Sequence, residues 1–191
     1  MPLRRADSLA TPRITPPPRG DYRFFALDVE TANRGRGSIC QIGIACVTHD
    51  GRIDGWSTLI DPQTEDWSCS FVHGITGKHV RGAPRFWQVF PYLERYFGTK
   101  LLFQHSGFDR NAINAACGEA GIEPPEWRWT DSLGVARRAF PELKGNGGHG
   151  LASLKKHLVL EFRHHDAEED ARASALVVLH AEARTGALVT G

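Results

Sequence analysis

At 191 residues with 41% hydrophobic content, the chain can bury one substantial core, and a second enzyme domain does not fit beside it. The formal net charge of +1 excludes a global basic field of the kind that drives nonspecific duplex binding, so any nucleic-acid contact must come from local patches. No apolar stretch approaches the ~20 residues of a membrane span and the first residues lack the apolar core of a secretory signal, so a soluble protein without a membrane partner is expected.

Residues 1–20, MPLRRADSLATPRITPPPRG, combine five prolines with four arginines and almost no large apolar side chains. This is the composition of a disordered basic arm, either inert or in contact with a nucleic-acid backbone or a partner. An enzyme domain is expected over residues 21–185, with 186–191 as a C-terminal tail. The apolar run Phe24 to Leu27 predicts a strand over 23–29, and further strands follow over 38–48 and 52–60. The Asp50-Gly51 turn between those two marks an antiparallel hairpin. Apolar residues at 86, 87, 89, 90, 93 and 97 trace one stripe of a helix from Phe86 to Phe97. A strand over 100–104, a helix over 108–120, a short strand near Arg128 to Thr130, and helices over 131–139, 151–157 and 167–183 complete an α/β order. Cys40, Cys46, Cys69 and Cys117 form no CxxC pair; three sit in apolar or helical contexts that suit buried thiols, and a reducing cytoplasm is expected.

Three short clusters carry the chemistry. Asp28 and Glu30 stand at i and i+2 on a strand, so they project to one face, and two carboxylates held together without basic neighbours call for a hard divalent cation. Asp109 opens the helix that follows the strand Leu101 to Phe103, within reach of the same sheet edge; its structural alternative is a capping box with Ser106. In the third cluster Asp166 is a good N-cap, with Glu169 placed to complete a capping box. On that register His165 and Asp170 occupy the two positions that face each other in a hydrophobic staple. A histidine and a carboxylate there suit a metal ligand paired with a base for its bound water. His164, one residue off this spacing, is assigned to the surface. Gly145, Gly147 and Gly150 satisfy GxGxxG but follow a helix and turn rather than a strand, so no dinucleotide site is read there.

The order D-x-E, F-D, H-x4-D resembles the histidine branch of the DEDD superfamily of 3′-to-5′ exonucleases. The likeness covers about residues 22–183 and includes DVET at 28–31, SICQIG at 38–43, VHGIT at 72–76 and H-x-A-x-x-D-A from His165 to Ala171. In relatives the second motif often reads H-N-x-x-F-D; here Gln104, His105, Ser106 and Gly107 precede Phe108 and Asp109. The resemblance implies a ribonuclease-H-like α/β fold, a mixed five-stranded sheet flanked by helices, with the acidic clusters meeting at one end. It implies two Mg²⁺ or Mn²⁺ ions roughly 3.5–4 Å apart, one held by Asp28, Glu30 and Asp170, the second by Asp28 with Asp109 assisting through water. His165 is then the general base, since an imidazole is largely neutral at working pH yet accepts a proton.

Around the terminal nucleotide the resemblance places Val29, Thr31, His73 and Ile75, with Phe108 either a stacking surface or part of the core. Arg34 and Arg36 follow in a Gly-rich loop, holding phosphates or simply solvated. The implied activity is removal of nucleoside monophosphates from single-stranded DNA or mismatched 3′ ends, with RNA 3′ trimming of the ribonuclease T kind as the alternative. A rival from another class is a non-catalytic nucleic-acid-binding or polymerase-associated module. Implied partners are a single-stranded DNA or RNA 3′ end and either a DNA polymerase or a second copy of the chain.

Overall fold

The computed structural model describes residues 14–145, 147–161 and 163–190. In chain order the elements are β1 (Tyr22–Thr31), β2 (Ile39–Thr48), β3 (Ile53–Leu59), α1 (Ser70–His73), α2 (Phe86–Phe97), β4 (Leu101–Gln104), α3 (Phe108–Ala120), β5 (Arg128–Asp131), α4 (Ser132–Ala139), α5 (Leu151–His157) and α6 (Ala167–Thr185). The strands form one mixed sheet in the order β3-β2-β1-β4-β5. The first three strands are an antiparallel meander, with Gly51 at φ +86° in the turn between β2 and β3. The other two run parallel to β1, each reached through a helix as parallel pairing requires.

The period-2 alternation of β1 creates two layers. Phe25, Leu27 and Val29 pack with Val89, Phe90 and Leu93 of α2 and with Ala112 and Ile113 of α3. Phe24 and Ala26 face the opposite way, into a cluster with Ala136 of α4, Leu154 of α5 and Ala171 and Val178 of α6. Asp28 and Glu30 continue the Phe24–Ala26 row, so the layer beneath α6 is apolar along most of β1 and carboxylate at its end. Within the expected helix stripe, Trp87 is the exception: it is exposed, because residue 87 lies off the arc formed by Phe86, Val89, Phe90 and Leu93. Among the described residues no helix is long and apolar enough to cross a membrane.

The approach of α6 to the sheet depends on one glycine. A Cβ at Gly43 would lie 2.0 Å from the Ala167 carbonyl carbon and 2.2 Å from the Glu168 nitrogen, so the first turn of α6 rests directly on the β2 backbone. Gln41 Oε1 accepts the Ala167 N–H at 3.2 Å, and Ser57 Oγ donates to Glu168 Oε2 at 2.7 Å. Gly43 faces Asp28 across the β1–β2 ladder, which sets the start of α6 beside the first acidic pair. The QIG part of the SICQIG motif therefore acts as the seat of this helix.

Two expectations need correction. Residues 14–20, read from composition as part of a disordered arm, lie along the fold: Trp56 Nε1 donates to the Thr15 carbonyl at 2.9 Å, Tyr96 OH donates to the Pro18 carbonyl at 2.5 Å, and Ile14 packs on the core. Prolines have little conformational entropy to lose, and the Trp56 N–H and Tyr96 O–H find backbone acceptors in this segment. Residues 1–13 of that arm lie outside the described residues. The capping box at α6 is also absent: Asp166 caps the helix by accepting the Glu168 N–H at 3.2 Å, without a reciprocal bond from Glu169.

Candidate active site

Three elements remote in sequence bring their acids together at the end of β1. One carboxylate oxygen each from Asp28, Glu30 and Asp170 lies within 4.8 Å of the others. Asp109, at the start of α3, is joined to them through the backbone of the same strand, accepting the Val29 N–H at 3.0 Å. It is buried and makes no capping box with Ser106, whose N–H instead donates to Asp131 Oδ1 at 3.1 Å. The structure thus groups Asp28, Glu30 and Asp170 as one donor set and places Asp109 beside it.

The electrostatics of this group follow from burial and crowding. Withdrawal from water, then the charges of Asp109, Asp170 and Glu30, raise the Asp28 pKa well above the usual carboxylate range. Burial, reinforced by Asp170 and Asp109, pushes Glu30 up to about 7. Burial likewise pushes Asp109 up to about 7, against the pull of the Val29 N–H. Carboxyls driven together until they hold protons near neutrality make an oxygen-only cradle for hard dications, and such ions fit this donor set.

His165 precedes α6 at φ +67°, in the left-handed region. Its backbone N–H donates to Asp170 Oδ2 at 2.8 Å, while its ring stays exposed and stacks on His164 with centroids 4.1 Å apart. His164, expected on the surface, is half-buried: its Nδ1 lies 2.8 and 3.0 Å from the two Asp170 oxygens. The left-handed turn at His165 reverses the two rings relative to the simple staple register. The H-x4-D spacing singles out His165, yet it is the His164 ring that meets the Asp170 carboxylate.

His73 has both ring nitrogens engaged. Nδ1 accepts the Ile75 N–H at 3.0 Å, which leaves the proton on Nε2 to donate to the Thr31 carbonyl at 3.0 Å. Burial lowers its pKa, consistent with a neutral ring. The VHGIT segment is thereby stapled to the end of β1, a structural task for a residue expected at the substrate. Ile75 is buried beside Ala32 and Val80. Val29 and Thr31 bury their side chains and contribute backbone atoms, the N–H to Asp109 and the carbonyl to His73.

Between this segment and the α6 entry loop lies an open cleft of about 600 Å³, lined among others by Gln41, Val72, His73, Ile75, His164 and His165. Its size suits one nucleotide. Phe108 is 41% exposed and Arg36 lies over its ring at 5.9 Å, so this ring belongs to the rim rather than the core. Arg34 and Arg36 are exposed. In the divergent second motif, His105 Nδ1 meets Ser132 Oγ at 2.8 Å and Nε2 meets the His149 carbonyl at 3.0 Å, while Gln104 Oε1 accepts the Arg110 N–H at 2.9 Å. Both residues brace the α3 and α4 entries.

A family model described as exonuclease, of the RNase T type, matches residues 25–178. DNA polymerase III PolC-type of Bacillus cereus is 30% identical over 162 residues, which are 82% of this chain and 11% of that protein. The Listeria monocytogenes PolC-type polymerase is likewise 30% identical over 162 residues, and the match again spans 11% of its length. Among solved structures, the nuclease domain of 3′hExo, a DEDDh family member bound to rAMP, superposes with a TM-score of 0.72 at 17% identity, covering 88% of this chain and 96% of that one. Exonuclease X in complex with 5′ overhanging duplex DNA gives 0.65 at 22% identity, covering 86% and 93%. These two likenesses establish the ribonuclease-H-like fold. With the family match over residues 25–178, the chain belongs to the exonuclease family of the RNase T type.

Proposed function

We propose that this protein is a metal-dependent exonuclease that removes nucleoside monophosphates from the 3′ end of single-stranded DNA or from mismatched ends. The observation that carries this reading is the convergence of Asp28, Glu30 and Asp170 oxygens within 4.8 Å, next to a cleft of nucleotide size. Mg²⁺ or Mn²⁺ ions would supply positive charge at the scissile phosphate and an acidified water. Asp28, Glu30 and Asp170 would hold them, with Asp109 as the nearby fourth acid. His165, exposed at the cleft, would accept the proton of the attacking water at a ring nitrogen. His73 holds the cleft wall against β1 and carries no proton in the reaction. Arg36 and the Phe108 ring it covers form a rim for the penultimate phosphate and base.

RNA is the second reading, because solved neighbours include one bound to rAMP and one on a histone mRNA stem-loop. The PolC-type relatives are DNA polymerases in which the matched segment is a small part of a long chain, so a replicative polymerase is the proposed protein partner. A time course on 5′-labelled single-stranded DNA and matched RNA, in Mg²⁺, Mn²⁺ and chelator, tests the reading. Wild type is expected to give a ladder shortening from the 3′ end only with metal, and Asp28→Ala none; the faster polymer names the substrate. Equal cleavage by Asp28→Ala, or none by folded wild type on either polymer, would sink it.

A further inference from the structure

The loop entering α6 sets two imidazoles beside one of the site carboxylates, a donor set unlike the all-oxygen one next to it. His164 Nδ1 is 2.8 Å from Asp170 Oδ1, the His165 ring lies parallel to that of His164 within 8°, and one donor atom from each of the three residues lies within 4.8 Å of the others. Asp170 is buried, His164 half-buried and His165 exposed, so the set has a closed floor and an open solvent side. Two imidazoles and a carboxylate with one open position are the ligand chemistry of Zn²⁺ and similar borderline ions, whereas Mg²⁺ favours oxygen alone.

We propose that His164, His165 and Asp170 form a site for a zinc-class transition-metal ion, and that its occupancy competes with the Asp28–Glu30–Asp170 set for Asp170. The ion replaces the hydrogen shared between His164 Nδ1 and Asp170. With metal–ligand distances of about 2.0–2.2 Å and tetrahedral angles, the ring and the carboxylate need to part by only about 0.5 Å. The exposed His165 ring swings out of its stack to become the third ligand. The three-ligand site stands without the proposed function; the competition rests on that reading, in which Asp170 is a ligand of the catalytic set. Zinc-class ions then restrain the nuclease by removing Asp170 from that set.

The test titrates the full chain, freed of metal with chelator, with Co²⁺ as the spectroscopic stand-in for Zn²⁺, and reads visible d–d absorption. Wild type and Asp28→Ala are expected to show the intense bands of a tetrahedral site. His164→Ala and His165→Ala are expected to lose them and to bind Zn²⁺ at least about tenfold more weakly, by calorimetry. Circular dichroism of each variant checks the fold. Absence of tetrahedral bands in wild type, their survival in both histidine variants, or their loss in Asp28→Ala would overturn the site. Millimolar Mg²⁺ is expected to weaken Zn²⁺ binding in wild type and not in Asp28→Ala. If wild type shows the bands without Mg²⁺ competition, the competition is overturned together with the role of Asp170 in the catalytic set, while the zinc-class site stands.

Discussion

Each end of α6 buries a carboxylate, and the protein treats the two in opposite ways. Near the C-terminal end, Glu182 receives both terminal nitrogens of Arg23 at 2.9 and 2.8 Å and the Val189 N–H at 2.8 Å. Near the other end, Asp170 stands with two more acids, and its hydrogen-bond partners among the described residues are a half-buried imidazole and one backbone N–H. Glu182 is a finished ion pair that ties β1 to the last helix. Asp170 is part of a crowded carboxylate cluster with no arginine or lysine partner among the described residues. Buried charge alone therefore does not set the candidate site apart in this fold; carboxylates crowded together do.

The sharpest way to break this contrast is at Asp28. Asp28→Asn is expected to slow 3′-end hydrolysis by about 10³-fold or more, on the order of 4 kcal/mol of barrier. The same change is expected to raise the melting temperature of the metal-free protein, because it removes one of the crowded charges. Paired activity and calorimetric measurements that showed both quantities falling would place Asp28 with Glu182 as a structural acid. At the opposite end, Arg23→Ala leaves Glu182 buried and unpaired, at a cost of about 2–4 kcal/mol. That corresponds to a drop of roughly 5–12 °C in melting temperature. The turnover of the folded protein is expected to stay within about twofold of wild type.

The smallest effect is the most diagnostic. Glu30 and Asp109 titrate near 7 in the folded state, so between about pH 4 and pH 7 the native protein retains protons that the unfolded chain has released. Their contribution to stability therefore declines as pH rises through that window and stays low above it. Differential scanning calorimetry of the metal-free wild type against Glu30→Gln is expected to show the variant gaining a few degrees on wild type between pH 5 and pH 8. Mg²⁺ should close that gap at pH 8. A gap independent of pH would show that Glu30 is already balanced.

Much of this was legible in the sequence because it is written in local rows. The alternation Phe24, Ala26, Asp28, Glu30 predicts one shared face, and the helix α2 stripe gives its bounds to the residue. The three acidic clusters and their order carry the donor set, and the structure brings Asp28, Glu30 and Asp170 together. What the sequence hides depends on torsion and on distant partners. The left-handed backbone at His165 decides which of two adjacent imidazoles meets Asp170, and nothing in H-H-D records it. His73 lines the cleft, and nothing in VHGIT records that both of its nitrogens are engaged by Ile75 and Thr31. Residues 14–20 read as loose from composition, and partners remote in sequence, Trp56 and Tyr96 among them, hold them along the fold.

The seat of α6 at Gly43 carries a further consequence. The first acids stand on a central strand held on both edges, whereas Asp170 rides on a helix that must dock before the donor set exists. On the proposed reading the nuclease is armed by the docking of the last helix on the sheet. Whatever loosens that contact disarms the enzyme while the sheet persists, so loss of cutting power reports on this junction earlier than any probe of the whole fold.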